Sequence, residues 1–233
     1  MTLFHLVMFD VDGTLIRWNG IDRVCFSEAV KEILGVDNID TDWLHYLHVT
    51  DSGIASQIIE RNLFRKAEKR DILAIRQSYL ARLRHETERN PYGFRPVPGA
   101  PELIADLRSM EGVCVCVATG GWRDAALLKL RLAGISAGDI PLASSDDSHE
   151  RESIMLLAEE RARVHKNCPA FSQVVYVADH VRDFLNARKL GYGFVGLGTG
   201  EHAQELKLAG VTHVQPDFTD KGYFLRVLGM PKH

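Results

Sequence analysis

Residues 3–15 read Leu-Phe-His-Leu-Val-Met-Phe-Asp-Val-Asp-Gly-Thr-Leu, and the fold is decided there. Residues 3–9 form a short, nearly continuous apolar run, as expected of a strand buried on both faces of a parallel sheet. The run stops at Asp10-Val11-Asp12-Gly13-Thr14-Leu15. In an extended chain Asp10 and Asp12 project to the same side. Two carboxylates so placed repel unless a cation or a shared proton relieves them. Gly13 permits a sharp turn, and Thr14 is expected to bond the local backbone. An all-oxygen donor set of this kind suits Mg²⁺, which keeps several waters and adds substrate phosphate.

Working outward, apolar runs at 113–118, 140–143, 174–178 and 194–197 read as four more strands. Helical patterns fall at 101–109, 125–133, 150–164, 181–190 and 201–209, with Gly134 a stop signal and Ser148 a candidate cap. Strands alternating with helices predict an α/β fold, a Rossmann-like parallel sheet with helices on both faces. Ligands of such sheets bind beyond the carboxyl ends of the strands. The residues after the strands are therefore the candidate site: Asp10 and Asp12, then Thr119-Gly120-Gly121, then Ser144-Ser145-Asp146-Asp147, then Asp179 with Asp183 beyond. Four strand ends bring carboxylates, hydroxyls and glycines to one rim.

The interval between the first two strands breaks the alternation, being far longer than a crossover helix requires. Residues 21–89 have helical periodicity: Phe26, Ala29, Val30, Ile33 and Leu34 make one stripe, and Ile72, Ile75, Tyr79, Leu80 and Leu83 another. The proline-rich stretch 91–98 reads as a hinge. Residues 17–95 are thus expected to be an inserted helical cap domain, with 1–16 and 96–233 forming the core.

These motifs resemble those of the haloacid dehalogenase (HAD) superfamily. Its first motif, DxDGT at the end of the first strand, is matched by residues 10–14; its second, a threonine or serine ending the next strand, by Thr119. A cation opening a later helix is matched by Arg151, and a GDxxxD-type pair by Asp179 and Asp183. The helical insertion corresponds to the C1-type cap, and the layout is similar to the phosphoglycolate-phosphatase-like branch. The resemblance implies a role for each residue. Asp10 is the nucleophile that forms an aspartyl-phosphate, and Asp12 the acid that protonates the leaving alcohol and later the base toward water. Asp10, Asp179 and the backbone carbonyl of Asp12 hold Mg²⁺, and Asp183 orients metal-bound water. Thr119, the Gly120 N–H and Arg151 bind the phosphoryl oxygens. Residues Thr50, Asp51 and Ser52 are read as an inter-helix turn whose specificity role is implied by C1 caps. The implied activity is Mg²⁺-dependent hydrolysis of a small phosphorylated metabolite, with a phosphomutase of the β-phosphoglucomutase type as the alternative. Two positions depart from the family pattern: Ala178 stands where glycine is usual, and Arg151 where lysine is commoner. Lys129 is a competing cation, read otherwise as part of a solvated helix face.

The remaining signals point away from other classes. Gly191-Tyr192-Gly193-Phe194-Val195-Gly196 matches GxGxxG, but its glycines follow a helix and enter a strand, the wrong order for a dinucleotide site. His45 and His48 lack a visible third ligand. Nine basic against four acidic residues between Arg61 and Arg89 read as a solvated face. Trp122 and Arg123 follow the phosphate-binding turn, as packing residues or as part of an entrance. The 233 residues carry a net charge of −3 and are 45% hydrophobic and 25% charged, which excludes disorder and any global field that attracts nucleic acid. Four cysteines do not make a disulfide framework. No apolar stretch reaches membrane-spanning length, and no signal segment is visible. A cytoplasmic, soluble enzyme is expected, with no nucleic-acid or membrane partner and with its oligomeric state open.

Overall fold

The computed structural model describes residues 4–17 and 20–229. Six parallel strands, β1 (Phe4–Phe9), β2 (Val113–Ala118), β3 (Leu142–Ala143), β4 (Phe171–Ala178), β5 (Gly193–Leu197) and β6 (Val214–Gln215), form one sheet in the order β3-β2-β1-β4-β5-β6. The chain winds outward from β1 in one direction and then returns to β4 on its other side. The carboxyl ends of β1 and β4 therefore flank the topological switch point, where such sheets open a crevice.

Each strand is apolar on both faces because both are covered. Val7 and Phe9, with Val113, Val115, Val117, Val175 and Val177, face one core. Against it pack helices α4 (Ala100–Ser109), α5 (Arg123–Leu132) and α9 (Lys221–Val227). The alternate residues Leu6, Met8, Cys114, Cys116, Tyr176 and Ala178 face the other core, under α6 (Arg151–Lys166) and α7 (Val181–Lys189). Helix α8 (Gly200–Leu208) lies between β5 and β6 in the chain.

Between β1 and β2 come α1 (Gly20–Leu34), a 3₁₀ turn at Trp43–His45, α2 (Asp51–Leu63) and the 21-residue α3 (Lys69–Arg89). The chain leaves and returns through adjacent segments: the Arg17 N–H donates to the Arg95 carbonyl at 2.9 Å and the Val97 N–H to that of Leu15 at 3.0 Å. Aromatic rings carry the first core into the inserted helices, with Trp122 stacked on Phe26 at 5.6 Å and tilted against Tyr79 at 5.6 Å.

Five of the six strands coincide with sequence-expected runs; residue 3 lies outside the described residues. β6, two residues long, and α9 were not anticipated, since neither is long enough to show a period. β3 is shorter than expected, and Ser148 accepts a bond from the Glu150 N–H at 3.1 Å without being the residue that caps α6. Ile33, placed in the buried stripe, is 39% exposed. The glycines at 191–196 form a turn and β5, as their order implied. Among the described residues no helix is long and apolar enough to cross a membrane, and all four cysteines are free.

Candidate active site

Past β1 the backbone continues one step of the ladder, the Asp10 N–H donating to the Val177 carbonyl at 3.0 Å. It then turns tightly: the Val11 carbonyl accepts from the N–H groups of Thr14, Leu15 and Ile16, and Gly13 takes φ +82°. Asp10 and Asp12 both line the cleft over the strand ends. The turn that follows leaves their carboxylates with different partners. It also leaves the buried Thr14 hydroxyl without a hydrogen bond among the described residues, against the local bond expected of it.

Asp10 keeps the direction of Leu6 and Met8, toward α6. Nη1 of Arg151, the first residue of α6, lies 3.2 Å from its Oδ1, while Arg151 Nε lies 3.0 Å from Asp183 Oδ1. Asp10, Asp179 and Asp183 each offer a carboxylate oxygen within 4.8 Å of the others, and all three are buried. Burial pushes Asp10 up to about 6; Arg151 opposes the shift and Asp183 adds to it. The acidity of Asp183 is also weakened by burial, again with Arg151 opposing. For Arg151, desolvation works against the charge, but Asp183 above all and also Asp10 keep the guanidinium firmly protonated. Three buried carboxylates around one guanidinium are an electron-rich, all-oxygen donor set, the kind that takes a hard divalent cation.

The Asp12 carboxylate meets α5 rather than α6. Lys129 Nζ donates to both of its oxygens, at 2.7 and 2.6 Å, and reaches Asp22 Oδ1 of α1 at 3.2 Å. Tyr79 of α3 donates its hydroxyl to the same Asp22 oxygen at 2.6 Å. Lys129 is 1% exposed, so it belongs to no solvated helix face. It lies three and four residues after the buried Ala126 and Ala125, on the inward face of α5. That spacing was the available signal. Burial alone would neutralise the ammonium, but Asp12 and Asp22 outweigh it and hold the charge. Asp12 is pushed up to about 6 by burial, against Lys129 and with Asp22. Both cations weighed from sequence are thus at the site, each on its own aspartate.

Thr119 follows β2 and is 1% exposed, its Oγ1 accepting from the Gly121 N–H at 3.1 Å. A Cβ on Gly120 would stand 3.1 Å from Arg151 Nη1 and 3.0 Å from the Val49 carbonyl, so the close approach of these segments needs glycine.

The residues 50–53, read as a turn, are the start of α2. Thr50 caps it, accepting from the Gly53 N–H at 3.2 Å, and helix begins at Asp51. The segment docks on the rim. The Asp51 N–H donates to the Gly120 carbonyl at 2.8 Å, and Asp51 Oδ2 accepts from the Trp122 N–H at 2.8 Å. Ser52 donates twice to Ser145, its N–H to Oγ and its hydroxyl to the carbonyl, and accepts from Trp122 Nε1. Burial, helped by Asp22, pushes Asp51 up to about 8. Trp122 is a packing residue, 1% exposed.

A cleft of ≈1240 Å³ opens over this rim, lined by Asp10, Asp12, Thr50, Asp51, Thr119, Gly120, Arg151, Asp179 and Asp183. Ser52 lies behind the wall. Sequence reasoning missed Asp22, whose place depends on how α1 packs, and Arg182, which donates to the Tyr46 and Leu44 carbonyls at 2.9 and 2.6 Å. His45 binds Asp40 at 2.7 Å. In the basic stretch Arg76 pairs with Asp124 and Asp146, Arg82 with Glu32 and Arg65 with Asp71.

No curated protein matches the chain. Among solved structures it is similar to a hydrolase from Pseudomonas syringae (22% identity, 94% of this chain and 97% of that one, TM-score 0.69). It is also similar to CbbY from Rhodobacter sphaeroides in complex with xylulose 1,5-bisphosphate (21%, 94% and 97%, TM-score 0.70). A candidate β-phosphoglucomutase from Bacteroides vulgatus shares the fold as well (18%, 98% and 90%, TM-score 0.64). At such identities the likeness speaks for the fold. The family model of haloacid dehalogenase-like hydrolases matches residues 7–188, most of the chain and every strand end described above except those of β5 and β6, and the protein belongs to that family of enzymes.

Proposed function

We propose that this hydrolase is a Mg²⁺-dependent phosphatase that cleaves a small phosphomonoester through an aspartyl-phosphate on Asp10. The observation that carries the reading is the buried group of Asp10, Asp179 and Asp183, with Arg151 against it, at the switch point of the sheet. Asp10 and Asp179, with the Asp12 carbonyl, would hold the cation, and Asp183 would orient its water. Mg²⁺ would supply charge neutralisation for the phosphoryl oxygens and keep the Asp10 carboxylate ionised.

The chain's own groups perform the remaining tasks. Asp10 Oδ attacks phosphorus in line, and the bond to the leaving oxygen breaks. Asp12 passes its carboxyl proton to that oxygen, then takes a proton from the water that hydrolyses the aspartyl-phosphate. Arg151, the Thr119 hydroxyl and the Gly120 N–H bind the equatorial oxygens, where negative charge must be held. Residues 17–95 act as the cap over the cleft, and Thr50 and Asp51 face the leaving group, with Ser52 anchoring them through Ser145. The buried free thiols Cys25, Cys114 and Cys116 suit the reducing cytoplasm.

The test is phosphate release from p-nitrophenyl phosphate and a panel of small phosphomonoesters, with Mg²⁺ and with EDTA. Turnover that requires Mg²⁺ and disappears in a folded Asp10→Asn variant is expected; a folded, Mg²⁺-loaded enzyme releasing no phosphate from any ester would overturn the reading. Phosphate transfer between two sugar phosphates, without net release, would establish the phosphomutase alternative that the same residues serve.

A further inference from the structure

We propose that Lys129 is a positioning residue for the reaction, a buried ammonium that fixes the Asp12 carboxylate for proton transfer and is itself fixed by the inserted helices. The inference rests on the acid–base role of Asp12 given above. Its geometry is independent of that role. Lys129 Nζ is within 2.7 Å of both Asp12 oxygens, so one ammonium defines the plane and direction of the carboxylate. Lys129 does not line the cleft; it stands behind Asp12, which does and whose side chain is 23% exposed. The grip is therefore from the rear, leaving the front of the carboxylate to substrate.

A free lysine would swing on four rotatable bonds, and this one cannot. Its ammonium also donates to Asp22 Oδ1 of α1, and that oxygen is held in turn by the Tyr79 hydroxyl of α3. The chain Asp12–Lys129–Asp22–Tyr79 runs from the turn after β1 through α5 into two inserted helices. A purely structural need would be met more cheaply by apolar side chains, since burying an ion pair rarely stabilises a fold over a packed hydrophobic equivalent.

The proton balance is simple. As Asp10 Oδ bonds phosphorus and the leaving P–O bond breaks, the Asp12 proton moves to the leaving oxygen and Asp12 is left as a carboxylate. The Lys129 ammonium pairs with that carboxylate and neither gains nor loses a proton. Hydrolysis of the aspartyl-phosphate returns a proton from water to Asp12.

The readout is dependence on the leaving group. kcat/KM covers the steps up to departure of the alcohol, so it isolates the protonation by Asp12. An aliphatic phosphomonoester has a basic leaving oxygen and needs that proton; p-nitrophenyl phosphate does not. Lys129→Met is expected to lower kcat/KM for the aliphatic ester about 10²-fold, within the usual range for general acid catalysis, and for p-nitrophenyl phosphate much less. Asp12→Asn should show the same split, more strongly. If Lys129→Met fails to fold, the charge-balanced Lys129→Met/Asp22→Asn pair carries the same expectation. Equal losses on both esters, or no loss on either, would overturn the positioning role. A wild-type enzyme with no Asp10-dependent turnover of either ester would instead overturn the phosphatase reading, and this inference with it.

Discussion

Asp10 and Asp12 are two residues apart, chemically identical and both pushed up to about 6 by burial, yet within one cleft their carboxylates meet different partners. Asp10 looks toward α6 and α7 and shares Arg151 with Asp183. Asp12 looks toward α5 and the inserted helices, and shares Lys129 with Asp22. One arm gathers carboxylates where a cation and a phosphoryl group can enter. The other surrounds a single carboxylate with an ammonium placed behind it. The turn at Val11–Gly13 separates them, so the repulsion of adjacent aspartates is relieved by two cations from opposite faces of the sheet. The proposed nucleophile and acid thus each have a cation of their own although they are neighbours in the chain.

The largest way to break this division is Asp10→Asn, which removes the proposed nucleophile: turnover of every phosphomonoester should fall by at least about 10³-fold in steady-state assays with the fold retained. Arg151→Met should come next, costing about 10²–10³-fold in kcat, because it removes a donor to the transferring group. Unlike Lys129→Met, it should do so alike for aliphatic and p-nitrophenyl esters. A leaving-group-selective loss from Arg151→Met would erase the distinction between the two arms.

Two smaller effects sharpen it. Tyr79→Phe keeps the ring against Phe26 and Trp122 but deletes the hydroxyl bond to Asp22. It should cost about 1.5–3 kcal/mol in chemical denaturation, as for a hydrogen bond to a charged group. Asp51 supplies a pH test. Its pKa is about 8 in the folded protein against an ordinary 3.8, so between those values the native state binds the extra proton. Stability from this group is present below the unfolded value and is lost as pH rises through the folded one. Asp51→Asn, neutral at every pH, should therefore gain in melting temperature over wild type as pH is raised from 5 to 8, by several degrees at the upper end. A difference independent of pH would show Asp51 ionised throughout.

Much of this was legible from residues alone. Strand β1 followed by Asp-Val-Asp-Gly-Thr pointed to a parallel sheet with a candidate site at its strand ends, because a buried strand must be apolar on both faces and its carboxyl end must carry the polar groups. The same rule singled out Thr119, Asp179 and Asp183, and each stands at or just past a strand end. The inserted helices were visible in their periodicity, and Arg151 in its place at the head of α6. What could not be read was which partners meet. Alternation predicts one side for Asp10 and Asp12, and both line the cleft, but that Arg151 meets the one and Lys129 the other depends on how α6 and α5 pack. Residues 50–53 look like a turn because caps and first helical turns use the same polar residues; only the Thr50–Gly53 bond and the docking on Gly120 and Ser145 separate the two.

Lys129 marks the boundary between the two kinds of information. From sequence it is a competing cation or part of a solvated face, and the structure puts it on the inward face of α5 beside Ala125 and Ala126. That an inward lysine stays charged is decided elsewhere, by Asp12 from the turn after β1 and Asp22 from α1, residues more than a hundred positions away. Local pattern determines which way a side chain faces, because helix and strand periods are properties of the backbone. Which charges meet once it is buried depends on contacts between distant segments, and only packing brings those segments together.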